Sequence, residues 1–303
     1  MMGMNKFSFF LILAFLIRSC LFSQEPDLTI PEMTDKPAGV GLRVKVIAPE
    51  YTGTEVHHSL YLPTDWEPGK KYPVIVEYTG NYYPESGSTG LVGDANLGYG
   101  LTGESGFIWI VMPYVAEDLS NNERTWWGNK EATINYCKVN LPRICEQYGG
   151  DTNNIFICGF SRGAIAVNYL GLADDEIARF WRGFIAHEHY DGVRTWGYEG
   201  DDSISALIRL QRLNGRPQMI SEAANFNLSG KAREYLTNHM DQGDFTFLTI
   251  PVDSVFKIPE EIPMSHTDLW PIKDSPARKL ARQWLFNLVD SNTIVFNHTC
   301  TPF

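Results

Sequence analysis

Positive charge is in short supply. The chain has 25 lysines and arginines against 36 aspartates and glutamates, a formal net charge of −11, which would repel a phosphate backbone rather than gather one, so no nucleic-acid partner is expected. Cysteine is scarce as well, with five in 303 residues. Cys137 and Cys145 fall on an expected helix, about 12 Å apart along its axis at 1.5 Å per residue, which is too far to bridge. Cys158 lies in a buried strand pattern. Buried free thiols are therefore expected rather than a disulfide framework, with a Cys300 disulfide as the open alternative. No internal repeat and no second-domain linker are visible, and after the first two dozen residues no apolar run is long enough to span a bilayer.

That first segment is itself informative. Lys6 precedes FSFFLILAFLI, and small or polar residues follow at Ser23 and Gln24, the pattern of a signal peptide rather than a membrane span. Export to a secreted or periplasmic location is expected, with cleavage near Ser23. Cys20 would leave with the leader, and Arg18 stands where a lipid-acceptor site needs a small residue. Asn227 and Asn297 each begin a glycosylation sequon. The expected organisation is a leader over 1–23, a proline-containing lead over 24–39, one catalytic domain over 40–290 and a tail over 291–303.

What is present is a regular alternation. GLRVKVIA and HSLYLP alternate apolar with polar residues, as edge-side strands do, whereas YPVIVEYTG, GFIWIVMPY, NNIFICG and RGFIAHEH are near-continuous apolar runs of strands buried on both faces. Helical spacing recurs over 131–149, where Pro142 should kink or break the helix. It recurs again in RGAIAVNYLGL, over 203–213 and over 229–238. RPQMIS and FTFLTIPV read as further strands. The last helix should begin at Ser275 as cap, with Pro276 in its first position. Strands alternating with helices predict an α/β architecture, a mostly parallel central sheet with helices on both faces.

Between a buried strand and a buried helix stands Gly159-Phe160-Ser161-Arg162-Gly163, a G-x-S-x-G element. A sharp strand-to-helix turn holds its serine in a strained conformation, small neighbours let the chains pass, and the hydroxyl is displayed at a helix N-terminus that favours developing negative charge. The bland alternative is a glycine-rich turn. With YCKVNLPRICEQYGGDTNNIFICGFSRGA around it, the sequence resembles the α/β-hydrolase superfamily over roughly 40–290, in particular the dienelactone-hydrolase and polyhydroxybutyrate-depolymerase-like esterases that include secreted feruloyl and acetyl esterases.

That resemblance implies an order of serine, acid, histidine. His266, after the last strand pattern and before the final helix, is the expected base; the alternative is an ordinary loop histidine. For the acid, the resemblance points after the penultimate strand, where Glu222 is available and Asn225 stands near the usual aspartate position. An asparagine cannot supply the charge that steadies an imidazolium. Glu222 is the expected acid and Asp191 the alternative, with Glu188 and Asp268 behind them. Oxyanion donors are expected from the amide of Arg162 and from the loop at Gly80 or Asn81. Tyr82, Trp126, Trp127 and Tyr190 are expected to line the substrate cleft, with Tyr83, Trp196 and Tyr198 nearby; simple packing of long loops is the competing reading.

Two other patterns carry less weight. GYGLTG at 98–103 matches a dinucleotide fingerprint but does not connect a strand to a helix. His187, Glu188, His189 and Asp191 could suggest a metal, with both histidines on one strand face, yet the spacing H-E-x-x-H is absent. No metal and no cofactor are expected. The sequence thus reads as a secreted serine hydrolase acting on carboxylic esters, of small molecules or linked to polysaccharide. A peptidase of prolyl-oligopeptidase type without its propeller, or a binding module that has kept the fold, are the alternatives.

Overall fold

The computed structural model describes residues 27–225, 229–240 and 243–295. The expected leader with Cys20, both sequon asparagines, Cys300 and the end of the tail lie outside them.

Nine strands form one sheet: β1 (Met33–Thr34), β2 (Arg43–Val46), β3 (His58–Tyr61), β4 (Tyr72–Tyr78), β5 (Ile108–Val111), β6 (Gly150–Phe160), β7 (Gly183–His187), β8 (Gln218–Ala223) and β9 (Phe245–Ile250), in the order β1-β2-β3-β5-β4-β6-β7-β8-β9. β3 runs antiparallel to β2 and to β5, and every pairing from β5 through β4 to β9 is parallel. The alternating segments are on the antiparallel side and the continuous apolar runs in the parallel centre, because only the latter are covered twice.

The covering is done by α1 (Leu97–Thr102), α2 (Lys130–Tyr148), α3 (Arg162–Tyr169), α4 (Asp175–Ala178), α5 (Ser203–Leu210), α6 (Ser229–His239), α7 (Val252–Val255) and α8 (Pro276–Val295). One core contains Ile134, Leu141, Val167, Leu210 and Leu236 from α2, α3, α5 and α6 against Val74, Val76, Phe184 and Ile220 of the sheet. The other contains Leu97, Leu101, Ala281 and Leu285 from α1 and α8 against Ile75, Cys158, Ile185 and Met219. Successive strand residues alternate between the two, as the pleat requires. Ser275 caps α8 as expected, accepting from the Arg278 N–H at 3.1 Å.

Two local expectations are corrected. α2 runs unbroken through Pro142. The proline sits on the exposed face of the helix, where water can take the place of the hydrogen bond that its missing N–H withholds four residues earlier. The glycine-rich 98–103 stretch, given no helix from the sequence, falls largely in the buried helix α1. A Cβ at Gly98 would lie 2.5 Å from the Trp109 ring and one at Gly100 2.5 Å from Pro271, so these glycines serve packing. The buried Glu77 carboxylate replaces a cap by accepting from the Leu97 and Gly98 amides at 3.1 and 2.7 Å.

Cys137, Cys145 and Cys158 are free and buried, as expected. Among the described residues no helix is long and apolar enough to cross a membrane.

A pH effect follows from β3. His58 is fully buried with Nδ1 2.8 Å from the Tyr136 hydroxyl, and burial pushes its pKa down to about 3. The fold accepts only the neutral ring, so the unfolded chain binds one more proton between about pH 3 and 6.5, and this contribution to stability is complete above the unfolded value and lost as pH falls. His58→Gln removes the site. The stability advantage of wild type over that variant should shrink by about 1.4 kcal/mol per pH unit between pH 6.5 and 4.5, measured by urea unfolding. An advantage that stays constant over that range would contradict a neutral buried His58.

Candidate active site

β6 delivers Ser161 and α3 begins directly after it. Ser161 has φ 54° and ψ −117°, a conformation that costs about 1–3 kcal/mol and survives only where its surroundings impose it. Here they do. The Ser161 N–H donates to the His187 carbonyl at 3.0 Å, and the Ser161 carbonyl accepts from Ala164 at 3.0 Å. A Cβ on Gly159 would come within 2.2 Å of the Gly163 oxygen, and one on Gly163 within 1.8 Å of the Tyr78 oxygen. The two glycines of the motif are therefore required by the close passage of β4, β6 and α3. At the start of α3 the first amides, Arg162 among them, have no acceptor within the helix.

His266 comes from the segment between α7 and α8, and its ring packs on Phe160 at 4.6 Å between centroids. It lines one cavity of about 330 Å³ together with Ser161. The carboxylate beside it belongs to Glu188, whose Oε2 is 3.5 Å from His266 Nδ1. Glu188 follows β7 directly, has φ 79° and is 1% exposed. Its Oε1 accepts from the Ala223 N–H at 3.0 Å, which fixes the carboxylate. With Nδ1 facing Glu188, Nε2 is the ring nitrogen left for the hydroxyl side.

The other carboxylates are occupied elsewhere. Asp191 is 2% exposed and bound by Arg209 through two bonds, Nε to Oδ2 at 2.8 Å and Nη2 to Oδ1 at 3.0 Å. Burial pushes its pKa up to about 6 even so. Asp268 accepts from the Asn96 amide at 3.0 Å. Glu222, the expected acid, follows Ser221 on β8. Its neighbour Ser221 faces His187, with Oγ 3.0 Å from Nδ1, and His187 Nε2 is 3.0 Å from the Thr267 carbonyl next to His266. Alternation turns the Glu222 side chain to the face of β8 opposite Ser221, and it lines a small cavity with Glu188, His189, Tyr190 and Ala232.

The bonds of His187 also fix its tautomer: a carbonyl can only accept, so Nε2 carries the proton and Nδ1 accepts from Ser221. Burial holds its pKa below the ordinary value. His187 thus props the segment carrying His266 from beneath, and His189 lines the cavity instead. The expectation that both share one strand face fails because β7 ends at His187 and the chain turns at Glu188. Among the described residues no cluster of three or more His, Cys, Asp or Glu side chains is placed to hold a metal ion.

The segment after β4 supplies the opposite wall. Gly80 is closely packed, since a Cβ there would be 3.0 Å from the Phe160 ring, which would have to give way. Asn81 lines the cavity, whereas the Tyr82 N–H is committed to the Arg124 carbonyl at 2.8 Å. Tyr82, Tyr83, Met264, His189 and Trp196 complete the lining. Burial, with His266 and Arg194 nearby, pushes the pKa of His189 down to about 3, so it stays neutral. Trp126 backs this wall, 5.4 Å from Trp196 and 5.5 Å from Tyr198 between centroids.

Two expected cleft residues are core instead. Trp127 is 5% exposed and stacks on Tyr169 at 4.7 Å, and Tyr190 is 5% exposed with its hydroxyl on Gln218 at 2.7 Å. Met264 was not singled out for the cleft from the sequence; the only signal was its closeness along the chain to His266.

A mostly parallel sheet with antiparallel strands at one side, a strained serine between strand and helix, and a late histidine above the carboxyl edge define the α/β-hydrolase fold. The sequence matches no protein-family model and no curated protein. Among solved structures the chain is similar to a thermostable esterase, with a TM-score of 0.50 and 16% identity over 81% of this chain and 62% of that one. It is similar also to a dipeptidyl aminopeptidase IV from Bacteroides ovatus, with a TM-score of 0.51 and 16% identity over 81% of this chain and 35% of that one. A feruloyl esterase module from Clostridium thermocellum aligns with a TM-score of 0.49 and 14% identity over 83% and 96% of the two chains. The chain spans less than two thirds of the first two proteins, and at these identities the likeness shows the fold.

Proposed function

We propose that this protein is a serine hydrolase that cleaves carboxylic esters through an acyl-enzyme on Ser161. The observation that carries the reading is the strained Ser161 on a cavity shared with His266, whose far nitrogen faces the buried Glu188 carboxylate. In this scheme His266 Nε2 takes the Ser161 proton as Oγ bonds to the ester carbonyl. The tetrahedral adduct collapses, the C–O bond to the alcohol breaks, and the alcohol leaves with that proton. Water then repeats the sequence on the acyl-enzyme and regenerates Ser161. Glu188 holds the imidazole in the productive tautomer and offsets its positive charge. No cofactor enters the scheme.

Asn81, Tyr82, Tyr83, Trp196, Met264 and the neutral His189 present aromatic and uncharged polar surface, which suits an aryl acyl group or a sugar ring and favours a carbohydrate-linked, aryl or polymeric ester. The leader expected at the N-terminus places such an enzyme outside the cytoplasm. A fluorophosphonate probe tests the chemistry, followed by a panel of acetyl, feruloyl and longer-chain esters and a peptide anilide. Stoichiometric labelling at Ser161 with ester turnover supports the proposal. Turnover of the anilide alone would favour a peptidase, and absence of labelling a binding module.

A further inference from the structure

The side chain of Arg162 is the least expected feature of the site. It is 1% exposed, and among the described residues no carboxylate lies at ion-pair distance from it, Glu123 acting on it only from further away. Burying a cation without a directly paired carboxylate is costly, so stability is a poor reason for its presence. Its partners are neutral groups on two loops. Nη2 donates to the Gly80 carbonyl at 2.9 Å and to Thr79 Oγ1 at 3.4 Å, and Nη1 donates to the Trp126 carbonyl. The guanidinium also lies 3.7 Å over the Tyr114 ring. Burial lowers its pKa to about 10, which leaves it charged at neutral pH.

Gly80 and Asn81 share one peptide plane. In a trans peptide the C=O and the following N–H point in opposite directions, so drawing the Gly80 carbonyl toward Arg162 directs the Asn81 N–H away from it. Asn81 lines the cavity with Ser161. The frame closes through Trp126, held at φ 56°, whose N–H donates to Asn81 Oδ1 at 2.7 Å and whose carbonyl Arg162 holds. The Asn81 carbonyl is fixed separately by Ser88 Oγ at 2.7 Å.

We propose that the Arg162 side chain is the positioning residue of the oxyanion site: by holding the Gly80 and Trp126 carbonyls it aims the Asn81 N–H, while its own main-chain N–H is the companion donor. One residue would then serve both halves of the site. This rests on the esterase reading above. The step served is attack of Ser161 Oγ on the ester carbonyl, in which the C=O π pair moves to oxygen and the two N–H groups receive that charge.

The test compares Arg162→Lys, Arg162→Met and Asn81→Ala with wild type. Measured are kcat and KM on 4-nitrophenyl acetate, the rate of Ser161 phosphonylation by a fluorophosphonate, and the unfolding midpoint. A lysine ammonium is a point charge and cannot span both carbonyls. Both Arg162 variants should therefore lose kcat by about 10²-fold, near the loss of one oxyanion donor, with KM within about threefold and phosphonylation slowed in parallel. Arg162→Lys that keeps wild-type kcat and phosphonylation overturns the inference while wild-type ester turnover leaves the esterase reading standing. If wild type turns over no ester, it is that reading which fails. Asn81→Ala removes the half-exposed anchor to Trp126 and keeps the N–H. It should lower kcat by about tenfold at unchanged KM, and an unchanged kcat there overturns the frame even if the Arg162 variants do not fold.

Discussion

Ser161→Ala is expected to lower ester turnover by about 10⁶-fold and to leave the fold intact. The side chain accounts for the whole effect, because the backbone at 161 is imposed from outside: Gly159, Gly163 and the His187 carbonyl keep the strained turn whether the residue carries a hydroxyl or a hydrogen. Alanine tolerates φ 54° about as poorly as serine, so the unfolding midpoint should move little. Steady-state hydrolysis of 4-nitrophenyl acetate, alongside a thermal melt, decides it. A variant that unfolds normally and retains more than a tenth of wild-type kcat would rule out Ser161 as nucleophile.

Glu188→Gln should cost about 10⁴-fold in kcat. A neutral amide does not offset the charge on the imidazolium, and its NH₂ group can face Nδ1 and select the wrong tautomer. Glu222→Gln should stay within a few fold of wild type, since that side chain occupies the opposite face of β8. Asp191→Asn separates stability from chemistry: kcat should change little, while the variant loses about 3–5 kcal/mol because Arg209 is left buried with half its pairing gone. Activity lost in Glu222→Gln and kept in Glu188→Gln would restore the assignment expected from chain order.

The sequence shows the sheet where burial writes an unambiguous pattern. Continuous apolar runs at 72–78, 108–111 and 155–160 can only be doubly covered strands, and the glycines around Ser161 report a steric need that admits no other residue. α1 was illegible because glycine is a poor helix former, and its terminus is satisfied by Glu77, which is distant along the chain. Pro142 misled because the rule against internal proline weakens on a solvent face. The acid proposed from the geometry, Glu188, differs from the expected Glu222 for two reasons that act together. Chain order pointed to the end of β8, where parity turns Glu222 away. Glu188 owes its position to a left-handed backbone that a glutamate seldom adopts, and no residue pattern announces it. Aromatic residues near the cleft could be counted but not sorted, since Trp126 and Trp127 are adjacent and only one of them backs the cavity wall.

In the proposed scheme, supplying the carboxylate from the turn after β7 separates two duties. Past Ala223, whose amide steadies Glu188, the described residues Ala224 and Asn225 hold no reacting group in this scheme, and Asn225 meets the His266 segment at Ser265, at 2.9 and 3.1 Å. A stretch relieved of chemistry is one where insertions and exchanges leave the catalytic geometry alone. For an engineer who wants a different acyl or sugar preference from this scaffold, the residues just past Ala223 are the place to exchange, and the turn at 188–191 is the place to leave untouched.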